Sequence, residues 1–366
     1  VDTDILVIGG GIAGLSLAAA LGDGVRTVVV EAEATLGYHA TGRSAALYTE
    51  CYGSETIRKL ARASKPYLTQ DDTPLIAPRG LIFVAPSGDD DALNDLARDF
   101  GPENARFFRI SPEEVERACG VFPTRLTAGG MFEPDAADID VDSLQTGYVA
   151  AARSNGVTIL TDFRVTSITR SDSGWVVGTS DQEITASVLV NAAGAWGDGL
   201  ALLAGVQPLG LTPLARSVFT FDPGMDPQPW PMTVDARERW YLKPEGPHML
   251  GSAASELPSE PTDARPQEID VALGIDKINR ASDLQIRSVR NTWAGLRTFT
   301  SDRVPAVGFD PQEPAFFWLV GQGGYGIKTS PAIGSFAASV IHGRAIPDAV
   351  AAEGLAGSEL APERLR

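Results

Sequence analysis

Three turns of one kind, far apart in the chain, predict an α/β protein. Its main sheet would be assembled from separated segments, with a second, mixed-sheet domain inserted between them. The first turn is Ile5-Leu6-Val7-Ile8-Gly9-Gly10-Gly11-Ile12-Ala13-Gly14, an apolar run entering a glycine turn and then helix-forming residues. The second is the apolar run 184–190 entering Asn191-Ala192-Ala193-Gly194-Ala195-Trp196. The third is Phe316-Phe317-Trp318-Leu319-Val320 entering Gly321-Gln322-Gly323-Gly324-Tyr325-Gly326. Strand, small-residue turn and helix in that order is the pattern of β-α units stacked on a parallel sheet.

The first unit carries the most chemistry. Gly9, Gly11 and Gly14 have G-x-G-x-x-G spacing, and the second strand Val28-Val29-Val30 ends on Glu31, about 20 residues further on. Gly9 permits the tight turn, Gly11 lets a pyrophosphate approach the backbone, and Gly14 lets the helix pack close to the strand. The free N–H groups of the first helical turn, around Ala13, carry partial positive charge and hold phosphate. The Glu31 carboxylate, with Ala32 beside it, is placed to accept hydrogen bonds from ribose hydroxyls. Dinucleotide binding is the reading; the bland alternative is a glycine-rich turn that binds nothing.

The remaining elements follow in order. Residues 37–46 are small and polar without periodicity, a loop lying against something. Leu81-Ile82-Phe83-Val84 reads as a strand, 89–100 as an exposed acidic helix, and 113–119 as a short helix opened by Ser111-Pro112 at N-cap and N1. Val141, Leu144, Tyr148 and Ala151 place a helix over 140–155; strands follow at 157–160, 164–170, 174–179 and 184–190. Strands at 211–222, 239–244 and 289–297 belong to the second domain, and a helix covers 329–342. The expected division is 1–50, 140–205 and 298–366 for the cofactor domain, and 51–139 and 206–297 for the substrate domain.

Composition sets bounds. A chain of 366 residues is long enough for two cores. A net charge of −17 opposes nucleic acid and anionic membrane partners at long range. No apolar run approaches the roughly 20 residues of a membrane span, and the run at Ile5 lacks the basic flank of a signal peptide, so a cytoplasmic location is expected. The two cysteines, Cys51 and Cys119, have no metal-ligand spacing, and the three histidines are scattered; no metal is expected.

Several further segments carry a family resemblance when taken together: 37–46, Tyr48-Thr49, Tyr52-Gly53, Tyr241-Leu242-Lys243-Pro244, Thr292-Trp293-Ala294-Gly295-Leu296-Arg297 and Gln322-Gly323-Gly324-Tyr325-Gly326-Ile327. Along its whole length the chain resembles the FAD-dependent D-amino-acid oxidase superfamily, which includes glycine and sarcosine oxidases, and within it most resembles the D-arginine dehydrogenase group of D-amino-acid dehydrogenases. The resemblance implies a discontinuous, Rossmann-like FAD-binding domain with a mixed-sheet substrate domain inserted. It implies that one extended FAD meets all three turns. Thr41, Gly42, Arg43, Ser44, Ala45, Ala46 and Leu47 would run beside the isoalloxazine ring. Val165, Ala193, Gly194, Trp196, Gly323, Gly324, Tyr325, Gly326, Ile327 and Lys328 would complete the cofactor site. Some relatives tether FAD through a histidine or cysteine; the matching histidine position here is Ser44 and the carboxy-terminal glycine loop has no cysteine, so non-covalent FAD is expected.

Two arginines stand out as carboxylate binders. Arg297 sits in an apolar strand-like segment, and Arg216 lies between Leu214 and Val218; a buried guanidinium needs an anion, and its fork matches a carboxylate. The alternative for each is a structural salt bridge. By resemblance both face a substrate carboxylate, with Tyr52 and Tyr241 lining the same pocket and Gly324, Leu47 and Leu81 beside them. Lys328 would stabilise the reduced flavin at its N1–C2=O edge; the blander reading is a solvated lysine at a helix start. Arginine-preferring relatives carry an acid where this chain has Leu81 and a histidine where it has Leu47. A cationic substrate tail is therefore disfavoured, with Glu50 the candidate replacement acid. The expected reaction is oxidative deamination of a small, neutral or apolar D-amino acid, with electrons passing to a quinone, another acceptor or O2. The alternatives are oxidation of glycine or N-substituted glycines, and a partner-dependent flavoprotein subunit.

Overall fold

The computed structural model describes residues 2–70, 74–100, 106–172 and 174–366, and among these residues three sheets form. The first is built around Asp2–Ile8. This strand runs parallel to Thr27–Val30 on one side and to Glu183–Asn191 on the other, with Ile8 level with both Val30 and Asn191. Thr158–Leu160 extends the sheet beyond Thr27–Val30, and Phe316–Val320 joins the outer edge of Glu183–Asn191, both parallel. Ser167–Ser171, Gly174–Gly178 and Ala306–Phe309 add antiparallel edges.

Alternation along these strands makes two cores. Ile5, Val7, Val29, Val190, Phe317 and Leu319 face a helical layer that includes Leu17 and Ala18 of Ile12–Ala20 and Ile333 and Phe336 of Gly326–Ile341. Leu6, Ile8, Val28, Val30, Leu189, Phe316, Trp318 and Val320 face the other way, onto Trp175, Leu200 and Ala201. A parallel sheet covered on both faces needs apolar residues at successive positions, which is why its strands read as unbroken apolar runs in the sequence.

The second sheet is mixed. Its order runs from Leu257–Pro258 through Thr212–Phe221, His248–Ser252, Tyr241–Glu245, Met232–Asp235, Leu81–Pro86 and Thr127–Glu133 to Phe108–Ile110, and Asn291–Phe299 pairs along Thr212–Phe221. One face packs on Val115 of the helix Pro112–Ala118 and on Val271 and Ile278 of the helix Glu268–Ala281. The other face turns toward the first domain. A short third sheet of Leu47–Tyr48, Ala137–Ile139 and Ile76–Pro78 lies where the loop 37–46 leaves the first sheet.

Four local differences from the sequence reading have physical causes. The helix Glu55–Leu68 was not anticipated; Ile57, Leu60, Ala61 and Leu68 form its buried stripe despite Pro66 inside it, and it packs against the first domain's helical layer. The helix Glu268–Ala281 was likewise missed. The helix expected from 329 begins at Gly326. The strand expected from 164 begins at Ser167, which leaves Arg164 and Val165 free of the ladder to face a cavity. The capping box at Ser111 and Glu114 forms as the sequence indicates.

Candidate active site

A continuous cavity of about 430 Å³ runs between the two large sheets and is lined by residues from all three turns. At one end stand Gly9, Gly11, Ile12 and Ala13, with Glu31, Ala32 and Glu33 beside them. Gly9 has φ +119°, and a Cβ there would lie 2.3 Å from the carbonyl oxygen of Ala192, so the first turn and the second are pressed together and only glycine serves. No side chain of its own caps the first helix; Thr41 Oγ1 accepts the Ile12 N–H at 3.0 Å, and the next first-turn donors have no intrahelical acceptor. The Glu31 carboxylate accepts from Gly10 N–H at 2.8 Å and from Glu33 N–H at 3.0 Å. That fixes its orientation and leaves lone pairs on each oxygen for a hydroxyl donor.

The loop after the second strand forms the next part of the wall. Thr41, Arg43, Ser44, Ala45, Ala46 and Leu47 line the cavity, with Ala46 held at φ +34°, a backbone region that side-chain-bearing residues seldom adopt. Arg43 does not offer its guanidinium to the cavity. It donates to the carbonyls of Tyr38, Ala264 and Ala294 and pairs with Asp263, so it ties the loop to the strand Asn291–Phe299 and to the segment 263–264. Val165, Ala193, Gly194, Trp196, Gly323, Gly324, Gly326, Ile327 and Lys328 complete this side.

Three residues expected at the cofactor lie behind the wall. Gly14 is buried under Gly9, where a Cβ would meet the Gly9 carbonyl oxygen at 2.1 Å. Gly42 donates its N–H to Gly37 O within the loop. Tyr325 packs its ring against Tyr52 and Phe299.

The opposite wall is one face of the second sheet, displayed by strand alternation. Leu81 pairs with Met232 and Phe83 with Val234, and Val234 pairs in turn with Tyr241; all five line the cavity. Arg216 pairs with Gly295 and Leu214 with Arg297. The two arginines are thus diagonal neighbours on one face of adjacent strands, within reach of a common ligand.

Each guanidinium is only partly engaged. Arg216 donates Nε to Ser255 O at 3.1 Å and Nη2 to Ala254 O at 2.9 Å. Arg297 donates Nη1 to Glu256 at 3.4 Å, and its fork lies so close over Gly324 that a Cβ there would meet Nη2 at 2.2 Å. Both arginines line the cavity. Burial, and then the neighbouring Arg297 charge, pull the Arg216 guanidinium below its usual value, which marks a place where an added anion is favourable. Tyr241 lies beside Arg216, with its ring centroid 5.9 Å from Cζ. Tyr52 donates to Glu238 at 2.9 Å.

Lys328 is buried, which excludes the solvated reading. It is the third residue of its helix, and Nζ donates to Thr49 O at 2.9 Å and Tyr52 O at 2.8 Å. Burial pulls its ammonium down to about 7, against the opposing pull of the Glu133 charge. Glu50 is not a substrate-facing acid: it accepts from Lys65 at 2.8 Å and from Tyr48 at 3.0 Å, away from the cavity.

The sequence reading missed Glu238, which lines the cavity at φ +56°, and the apolar set Phe83, Val218, Met232 and Val234. It quoted Gln322 without giving it a role. The Gln322 side chain borders the cavity with its buried Nε2 lacking a protein partner, the mark of a polar group awaiting a ligand. The signal for Gln322 was its place in the third turn; Glu238 had none.

The family model described as FAD dependent oxidoreductase, DAO, matches residues 4–340. The chain belongs to the DAO family of FAD-dependent oxidoreductases. Among curated relatives of this DAO protein, glycine oxidase of Geobacillus kaustophilus is 24% identical, with 92% of each chain covered. Mitochondrial dimethylglycine dehydrogenase of Homo sapiens is 25% identical over 93% of this chain and 42% of its own length. Among solved structures, L-proline dehydrogenase from P. horikoshii superposes with a TM-score of 0.83 at 20% identity, covering 94% of this chain and 95% of the other.

FAD is the cofactor of the family, and the residues present fit it. The pressed Gly9 turn, the open space over Gly194 and the orphaned Gln322 amide all border the cavity that the three turns share. Among the described residues no group of acidic, histidine or cysteine side chains could hold a metal, and no helix is long and apolar enough to cross a membrane.

Proposed function

We propose that this DAO protein oxidises the carbon–nitrogen bond of a small amino acid that carries one free carboxylate and a neutral or apolar substituent, of D configuration where the carbon is chiral. The observation that carries the reading is the diagonal pair Arg216 and Arg297, both lining the cavity that the three turns share. Supporting it, Leu47, Leu81, Phe83, Val218, Met232 and Val234 make that wall apolar, so a cationic side chain lying against them would be desolvated, and the acid that borders this side, Glu238, is already hydrogen-bonded by Tyr52.

FAD, held without a covalent link by the three turns, supplies the hydride acceptor when bound. The chain's own residues position the substrate. Arg216 and Arg297 anchor the carboxylate, with the Tyr241 and Tyr52 hydroxyls beside them. This fixes the amine-bearing carbon against the cofactor side of the cavity, a gain in orientation rather than in chemistry. The apolar wall excludes water while the carbon is oxidised. The product is an iminium acid, which water converts to the 2-oxo acid and ammonium. Lys328 holds its position through two carbonyls and lines the same cavity.

A second reading shares the same anchor: oxidation of glycine or an N-substituted glycine. It is favoured by the relatives' names, glycine oxidase and dimethylglycine dehydrogenase. Anaerobic mixing with D-leucine, D-methionine, D-arginine, glycine and sarcosine, following loss of flavin absorbance, separates the readings. Rapid bleaching by D-leucine or D-methionine supports the first, and bleaching by glycine or sarcosine alone supports the second. Fast bleaching by D-arginine alone would overturn the reading of the apolar wall.

A further inference from the structure

One carboxylate of the protein already sits beside the anchor arginines. Glu256 Oε1 lies 3.4 Å from Arg297 Nη1, 3.9 Å from Arg216 Nη2 and 2.5 Å from Arg303 Nη2. Its second oxygen accepts from Arg303 Nη1 at 3.1 Å. Three guanidinium groups therefore converge on one side chain. Two of them face the substrate cavity, while the third stands outside it.

The placement is built into the backbone. Glu256 follows a turn in which Ala254 adopts φ +53°, and the carbonyls of Ala254 and Ser255 are the acceptors of Arg216. Ser255 Oγ donates to buried Asp270 at 2.5 Å, and the other oxygen of Asp270 takes the Ser217 N–H at 3.0 Å. The turn that carries Glu256 is thus fastened to the strand that carries Arg216. Arg303 is held from the other side, with φ +62° and its Cζ 3.9 Å above the Phe299 ring.

We propose that Glu256 is a specificity-determining residue: its carboxylate occupies the place between Arg297 and Arg303 that a second substrate carboxylate would take. The site therefore accepts amino acids with one carboxylate and rejects those with two. This rests on the reading that Arg216 and Arg297 anchor a substrate carboxylate. Without Glu256, Arg303 and the outer donor of Arg297 form a second fork next to the anchor, at a spacing suited to a bidentate anion. With it, Nη1 and Nη2 of Arg303 are both taken by the Glu256 carboxylate, and an incoming second carboxylate meets a like charge at close range.

The test uses flavin-loaded protein and two unreactive thioether acids, (methylthio)acetate with one carboxylate and thiodiacetate with two. Binding is read from the flavin visible difference spectrum and by calorimetry. Wild type is expected to bind (methylthio)acetate at least tenfold more tightly than thiodiacetate. Glu256→Gln should tighten thiodiacetate at least tenfold and move (methylthio)acetate less than threefold. Adding Arg303→Gln to Glu256→Gln should restore the wild-type preference, which loss of structure alone would not do. Glu256→Asp, which withdraws the carboxylate by one methylene, should fall between and serves if the glutamine variant is unstable. An unchanged preference in Glu256→Gln or Glu256→Asp, or wild type binding both acids equally, overturns the proposal. Wild type that binds neither acid overturns instead the assignment of the arginine pair as a carboxylate anchor.

Discussion

The two walls of the cavity are made of different materials. The wall from the first sheet and its turns is largely backbone: glycine turns, a helix start and the Glu31 carboxylate, oriented by the N–H groups of Gly10 and Glu33. The wall from the second sheet is side chain, with Leu81, Phe83, Met232, Val234, Tyr241, Arg216 and Arg297 projecting from one sheet face. Backbone recognition is rigid and suits a ligand that stays. Side-chain recognition can be altered one residue at a time and suits a ligand that must be chosen. Substitutions on the first wall should therefore change flavin retention, and those on the second should change substrate capture.

The largest effect is expected at Gly9. Alanine there forces φ +119° on a residue with a side chain and drives Cβ to 2.3 Å from Ala192 O, at a cost of about 3 kcal/mol or more. The protein should purify with little flavin, read as the ratio of visible to ultraviolet absorbance; a fully yellow Gly9→Ala protein would break the comparison on the first wall.

Arg297→Ala should leave flavin content intact and lower kcat/KM by about 2–4 kcal/mol, ~30- to ~1,000-fold, by removing half the anchor. Unchanged saturation behaviour would remove Arg297 from the substrate side.

Lys328 sits on the helix Gly326–Ile341 and lines the cavity, and its effect is a pH slope. Its folded value of about 7 lies below the ordinary 10.5, so between those values the unfolded chain binds more protons than the folded one. The burial penalty is then complete below about pH 7 and is relieved as pH rises toward 10.5. Relative to wild type, Lys328→Met should be most favoured near pH 6. Its advantage should shrink toward pH 10 by on the order of a few kcal/mol in urea unfolding; a pH-independent difference would show that the ammonium is not desolvated.

The smallest effect is expected at Gly324. A Cβ there meets the Arg297 fork, a movable side-chain end, so Gly324→Ala should raise KM by the equivalent of about 1–2 kcal/mol with little change in flavin content. Loss of flavin instead would place Gly324 on the cofactor wall.

Legibility followed the same division. The glycine turns, Glu31 and the strands around them were readable because that chemistry is local: turn, helix start and acid lie within one β-α-β unit. Arg216 and Arg297 were recognisable as cations in apolar strands. Their diagonal register across Thr212–Phe221 and Asn291–Phe299 was not, because it depends on pairing between segments about 80 residues apart in the chain. Glu238 and Glu256 carried no signal at all, since an acid in a polar turn reads as solvated surface; both stay exposed, and only the fold supplies their partners, Tyr52 for one and three arginines for the other. Glu50 shows the converse, an acid near the site in sequence that the structure commits to Lys65.

The amino-acid sequence by itself determined the family, the cofactor-binding turns and the class of α/β fold, because each rests on short-range patterns of glycine and apolar residues. The tertiary structure decided which charges meet: three arginines on Glu256, Tyr52 on Glu238, and Lys328 on two backbone carbonyls. Electrostatic partners act through space over a few ångströms, and only the packing of one sheet against the other brings residues from distant parts of the chain within that range.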